Sequence, residues 1–266
     1  MPKEAPSVTT LLSFLSALSE ANPSRPARAP LRIHFPSSDS SASPTTVSSP
    51  GTTLTKDAAA LPPSYSISAT ALSNITVPNC DLSPVSSHSS SSLEPDGFGT
   101  GHSRRRGSAA SNAQGNIPHY MVICLDLDPP FPSFPVLAPI LHSLEADLRL
   151  ETEELDAAEG YLYLTADEVV GGSEGIRHAR EDTRRTKPVV RYMGPKPPGV
   201  SSPHRYVFLC WEQPGGVDGK KVREVLGLDN EEGEDVGMAT RVRFDQEAFE
   251  RNLGLGEVVA GNYFVC

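Results

Sequence analysis

The chain has 266 residues, is 38% hydrophobic and carries a formal net charge of −10, which is enough for one large domain or two small ones. The charge is uneven: residues 1–117 hold 8 Lys+Arg against 7 Asp+Glu, whereas residues 118–266 hold 15 against 26. An acidic second half argues against nucleic acid, which needs a basic face to neutralise phosphates, and no apolar run reaches the ~18–20 residues of an integral membrane segment.

Residues 1–8 read as a tail before a domain spanning 9–266. Leu11, Leu12, Phe14, Leu15 and Leu18 mark a short amphipathic helix capped by Thr9 or Thr10. Lys3 and Glu4 give its leader no positive bias, so it does not read as a secretory signal, and a cytoplasmic location is expected. Pro23, Pro26 and Pro30 forbid the helix to continue. The stretches 31–35, 51–56 and 64–72 read as strands. Residues 83–117 are Ser-, Gly- and Arg-rich and bury too little apolar surface to offset their ordering entropy. They are expected to be a disordered insertion, with Arg104–Ser108 either a basic phosphorylation site or a solvated tether.

Tyr120 to Asp128 is a near-continuous apolar run ending in two carboxylates, which predicts a central strand covered on both faces. Asp126 and Asp128 share a face if the strand stays extended that far. Pro129, Pro130, Pro132 and Pro135 impose an irregular loop, and an apolar segment holding His142 follows. Residues 151–188 are polar apart from the strand-like 161–164 and look like a surface excursion. A loop stiffened by Pro195, Pro197 and Pro198 then delivers His204, Arg205 and Tyr206 to the apolar strand Val207–Trp211. The stretch 215–240 is acidic and contains glycine. The last residues read as strand, a short helix with Phe249 and Leu253 on one face, and a final strand. Many spaced strands with few helical periodicities predict a mainly antiparallel β domain with short peripheral helices.

Cys80, Cys124, Cys210 and Cys266 are too scattered for a disulfide framework or a zinc site. Cys124 and Cys210, inside apolar runs, read as buried thiols. No metal site and no cofactor are predicted, since the nucleotide- and metal-binding motifs GxGxxG, GxxxxGK[ST] and HExxH are absent. The chemistry-bearing side chains are Asp126, Asp128, His142, Tyr192, His204, Arg205 and Tyr206, at strand ends or in proline-stiffened loops. Imidazole and phenol groups at one cleft suit a small anion, and a nearby Asp can fix an imidazole tautomer. Each residue also has an ordinary reading. Asp128 can cap the turn before Pro129, His142 can be a satisfied core histidine, and Arg205 can brace the acidic half. No catalytic residue is assigned; His142, His204 and Asp126 are the candidates.

The segment Tyr192-Met-Gly-Pro-Lys-Pro-Pro, followed by His204-Arg-Tyr-Val-Phe, resembles a signature of the phosphatidylethanolamine-binding protein family. Asp126-Leu-Asp-Pro-Pro resembles the family's Asp-Pro-Asp-x-Pro, and Val258-Val-Ala-Gly-Asn-Tyr-Phe264 its closing block. The spacings agree, His142 lying 16 residues after Asp126 and His204 12 after Tyr192. The Ser-rich insertion and the close at Cys266 are most similar to filamentous-fungal members. Leu127 and Ser143 stand where the family has Pro and Trp. The resemblance implies a large central antiparallel sheet packed on a smaller one, with an anion pocket at one end. It implies that Asp126, Asp128, His142, Tyr192, Gly194, Pro197, Pro198, His204 and Tyr206 bind the ligand. The partners implied are a small phosphoryl or carboxylate anion and a protein such as a hydrolase or kinase. The implied function is binding with a regulatory or inhibitory role. Two alternatives stand beside it: an enzyme or auxiliary factor of fungal secondary metabolism, using acid–base chemistry in coupling or dimerisation of maleic-anhydride-type monomers, and a carboxypeptidase-type protease inhibitor.

Overall fold

Two adjacent strands carry the molecule's centre: β5 (Tyr120–Asp126) and β8 (Arg205–Glu212). They pair antiparallel with Cys124 opposite Phe208 and Asp126 opposite Tyr206. Alternation splits their side chains between two cores. Met121, Ile123, Leu125, Val207, Leu209 and Trp211 enter one, while Tyr120, Val122, Cys124, Tyr206, Phe208 and Cys210 enter the other. Such double coverage is why both sequences are nearly continuous apolar runs. Each fully buried Val, Leu or Phe contributes roughly 1.5–3 kcal/mol, so the strand that presents Tyr206 is firmly anchored.

The computed structural model of the chain describes residues 29–37, 43–69, 72, 118–156, 160–166, 187–228 and 236–266. All of these belong to one compact unit, residues 1–76 and 118–266; a second unit, residues 77–117, lies outside the described residues. The expected N-terminal helix and the Ser/Gly/Arg-rich insertion at 83–117 also fall outside them.

The other strands are β1 (Ala29–Phe35), β2 (Thr45–Val47), β3 (Thr52–Thr53), β4 (Ser64–Ser68), β6 (Ile140–Asp156), β7 (Tyr161–Ala166) and β9 (Ala260–Val265). They join one sheet in the order β2-β1-β4-β7-β6-β5-β8-β9-β3. A short parallel contact, Ala29 with Ala260 and Pro30 with Gly261, brings β1 onto β9 and closes the sheet like a barrel. The fold is therefore mainly β around a large antiparallel sheet, as expected. Among the described strands, the smaller second layer is continuous with that sheet rather than separate.

Among the described residues three short helices are named: α1 (Gly219–Val225), α2 (Met238–Arg241) and α3 (Gln246–Leu253). Val222 plugs α1, and Phe249 and Leu253 plug α3, into the first core. Asp218 caps α1 by accepting from the Lys221 N–H, and Asp245 caps α3 by accepting from the Ala248 N–H.

Three local expectations change. Residues 161–164 are a strand, as expected, but not part of a surface excursion, because β7 pairs with both β4 and β6, and 151–156 continue β6. The stretch 215–240 contains α1, whose single fully buried anchor, Val222, leaves almost no periodicity to read. The expected strand before α3 is the short helix α2, and only Val242 makes an isolated bridge to Ile140.

Candidate functional site

Asp126 is the last residue of β5, and alternation puts it on the side of Cys124 and Phe208, at the end of the second core. Its Oδ1 accepts from the Asp128 N–H at 2.9 Å, an Asx turn that ends the strand. The backbone bends there, so Asp126 and Asp128 do not share a face as an extended strand would have required.

Asp126 Oδ2 meets two imidazoles. His204 Nδ1–H donates to it at 2.9 Å, and His142 Nε2 lies 3.9 Å away. All three side chains are buried. His142 arrives through a β-bulge: Cys124 opposes Ser143 and Leu125 opposes Leu141, so His142 is the extra residue. Bulges re-aim side chains in this way, often beside functional sites. The His142 Nδ1–H donates to the Met193 carbonyl, which fixes the tautomer and leaves Nε2 unprotonated toward Asp126. Burial lowers the His142 pKa below the ordinary histidine value of 6.5, overcoming the opposite pull of the Met193 carbonyl and Asp126.

Tyr206 lies between the rings of His204 (6.4 Å, stacked) and Phe264 (5.1 Å, stacked), with His142 edge-on at 5.1 Å. The ring is fixed, yet its hydroxyl, in a residue 1% exposed, makes no hydrogen bond of good geometry; the nearby Asp126 carboxylate is at most a weak, poorly aligned acceptor for it. Burial and the nearby Asp126 carboxylate raise its pKa, so the phenol stays protonated. On the outer side, His204 Nε2 meets Ser201 Oγ at 3.0 Å and the Pro130 carbonyl at 3.3 Å.

Asp128 serves a different group. Its Oδ2 accepts from the Arg205 N–H and Nε–H at 2.8 Å each, and its Oδ1 accepts from Nη2 at 2.6 Å. This two-point clamp raises the Arg205 pKa. The structure thus brings Asp126, His142, His204 and Tyr206 together and leaves Asp128 outside the group, tied to Arg205.

The proline-loop residues also divide. The Tyr192 hydroxyl donates to the Ala59 carbonyl at 2.8 Å, and the Pro197 carbonyl accepts from Lys56 Nζ at 2.8 Å. A Cβ on Gly194 would come within 3.1 Å of the Ala60 oxygen, so glycine is what lets the loop seat against the turn 56–60. Tyr192, Gly194 and Pro197 bind that turn, while Met193, between them, holds His142. Pro198 makes no side-chain contact with the cluster among the interactions described. Sequence reasoning missed Ser201 and the carbonyls of Pro130 and Met193. Ser201, three residues before His204, was legible as a local partner; carbonyl directions are not.

Cys124 and Cys210 are buried free thiols, and burial raises the pKa of both. Among the described residues no group of three or more His, Cys, Asp and Glu could hold a metal ion, and no helix is long and apolar enough to cross a membrane.

Comparison with known proteins gives a family. The family model described as phosphatidylethanolamine-binding protein matches residues 108–264, more than half of the chain. The chain belongs to this family. It is 30% identical to the carboxypeptidase Y inhibitor of Saccharomyces cerevisiae over 146 residues, 54% of this chain and 58% of the relative. It is 34% identical to the phomoidride biosynthesis cluster protein N of Talaromyces stipitatus over 99 residues, 37% of this chain and 45% of the relative. The chain therefore spans about half the length of the curated relatives it matches. A solved structure of carboxypeptidase Y inhibitor complexed with its cognate proteinase shares the fold, with a TM-score of 0.50 at 18% identity, covering 96% of this chain and 94% of that one.

Proposed function

We propose that the chain is a binding protein whose Asp126–His142–His204–Tyr206 cluster takes one small anionic group, a phosphoryl or a carboxylate, and that the bound protein regulates a partner protein. The observation that carries this reading is the Tyr206 hydroxyl, which in a fully packed position makes no hydrogen bond of good geometry. A buried hydroxyl without a partner costs about 1–3 kcal/mol, and a ligand oxygen accepting from it removes that cost. His142 Nε2, unprotonated, can accept from an O–H or N–H of the ligand at the same place, such as a protonated phosphate oxygen or an amine. Ser201 Oγ on His204 Nε2 sits where a ligand oxygen would bind, so the loop residue stands in for the ligand. The inhibitor relative favours a hydrolase over a kinase as the partner, and the reading places the protein in the cytoplasm.

Calorimetric titration with inorganic phosphate, phosphoethanolamine and succinate tests the pocket. At least one ligand is expected to bind wild type, with affinity falling about tenfold or more in His204→Ala, as for lost charge-assisted hydrogen bonds. Equal affinity in wild type and His204→Ala contradicts the shared pocket.

A second reading rests on His142. Its fixed tautomer and lowered pKa leave an unprotonated Nε2 beside a buried carboxylate, the arrangement of a general base near neutral pH. The resemblance to fungal secondary-metabolism members gives this reading its substrate class, an enolisable anhydride or acid, and one relative is named as a biosynthesis-cluster protein. Incubation with anhydride monomers followed by mass spectrometry separates the two: dimer formed by wild type and not by His142→Gln favours catalysis. Inhibition of a carboxypeptidase that survives His204→Ala points instead to an inhibitory surface outside the pocket.

A further inference from the structure

We propose a second anion site, independent of the buried cluster, in a cavity on the other side of the proline loop. The cavity, about 720 Å³, lies between the turn 56–60, the loop 191–196 and the start of α2. Its volume falls in the range of small-molecule sites, roughly 300–1,000 Å³. Among the described residues its lining is basic: Lys56, Arg191, Lys196 and Arg241 line it with one acid, Asp57, in a protein of net charge −10. Cations gathered in a low-dielectric concavity focus their field on whatever enters it.

The four cations differ in how they are held. Arg241 is buried and donates to the carbonyls of Val236, Leu141, His142 and Arg191, so it fixes the floor while keeping its charge. Lys56 is tied to the Pro197 carbonyl. Among the described residues, the side chains of Arg191 and Lys196 have no hydrogen-bond or ion-pair partner, and both are exposed. Lys196 stands between Pro195 and Pro197, which fix the backbone on both sides. Tyr192, Met193 and Val236 give the cavity an apolar side. A planar guanidinium, a mobile ammonium and an apolar wall together fit a small organic polyanion, one with two or more carboxylate or phosphate groups on a carbon body. The site meets the buried cluster at two points: Met193 lines the cavity and its carbonyl holds His142, and Arg241 donates to the His142 carbonyl.

Titration with citrate and with inorganic pyrophosphate tests the site, and the stronger of the two identifies carboxylate or phosphate as the preferred group. Binding is expected to weaken about tenfold in the double variant Arg191→Gln/Lys196→Gln and to fall steeply with added salt. Both positions are exposed, so folding is not at stake; urea midpoints verify this. In Tyr206→Phe and His204→Ala, affinity at this site is expected to stay at the wild-type level, which separates its failure from failure of the buried pocket. Wild-type affinity in the double variant overturns the proposal. So does loss of citrate and pyrophosphate binding in Tyr206→Phe, and so does capture of a hexaglutamate peptide with neither small anion bound.

Discussion

Asp126 ends β5 and Asp128 lies two residues beyond it, both buried, yet Asp128 sits in a saturated network and Asp126 in an unsaturated one. Around Asp128 every strong donor has its acceptor: the Arg205 backbone N–H, Nε–H and Nη2–H all reach the carboxylate within 2.8 Å. Around Asp126 the count does not close. His142 Nε2 stays at 3.9 Å, and the Tyr206 hydroxyl makes no hydrogen bond of good geometry. A saturated polar network fixes the chain, whereas an unsatisfied one in a packed core needs a reason to persist. The Arg205 clamp holds the strand that carries His204 and Tyr206, and the open cluster beside it has hydrogen-bonding capacity left for a ligand.

The comparison can be broken at the clamp first. Asp128→Ala removes three hydrogen bonds and leaves the Arg205 guanidinium unpaired. The expected loss of stability in denaturant unfolding is about 3 kcal/mol, moderated because the Arg205 side chain is 36% exposed. A loss below about 1 kcal/mol, the level of an ordinary surface pair, contradicts a structural clamp. Next comes Gly194→Val, which presses a branched side chain against the Ala60 oxygen at the 3.1 Å contact. It is expected to cost about 1–3 kcal/mol by overpacking, seen as a lower thermal midpoint.

The pH dependence sharpens the other side. The folded-state pKa of His142 lies below its ordinary value of 6.5, so the unfolded chain binds the proton more readily. Stability is therefore full above that value and declines as pH falls below it. Urea midpoints between pH 7.5 and 5 should show the decline in wild type and a shallower one in His142→Gln; identical slopes contradict it. The smallest effect is expected from Ser201→Ala. It removes a half-exposed hydroxyl from His204 Nε2, leaves stability within about 0.5 kcal/mol, and should strengthen phosphate or carboxylate binding a few-fold in calorimetry.

Much of this architecture was legible because both-face burial writes itself into sequence. Tyr120–Asp126 and Val207–Trp211 are apolar at nearly every position, and both are central strands. The grouping of Asp126, His142, His204 and Tyr206 was legible through the family resemblance, not from the residues alone. The fate of Asp128 was not, since residues two apart share a face only while the strand runs straight, and the Asx turn at Asp126 breaks that condition. Nor was the bulge at His142, which depends on register against β5. That 161–164 form a strand was legible, but its place inside the sheet was not, because β7 follows β6 directly yet also pairs with β4, which comes from a distant part of the chain.

The account rests on the Tyr206 hydroxyl being kept for a ligand rather than for the fold. Tyr206→Phe is the direct measurement, read twice on one preparation: by denaturant unfolding and by titration with the tightest of phosphate, phosphoethanolamine and succinate. Removing a buried hydroxyl that makes no hydrogen bond of good geometry should leave stability unchanged or raise it by about 1 kcal/mol, while ligand affinity falls about tenfold. Lower stability with undiminished affinity would contradict the account, because the hydroxyl would then belong to the fold.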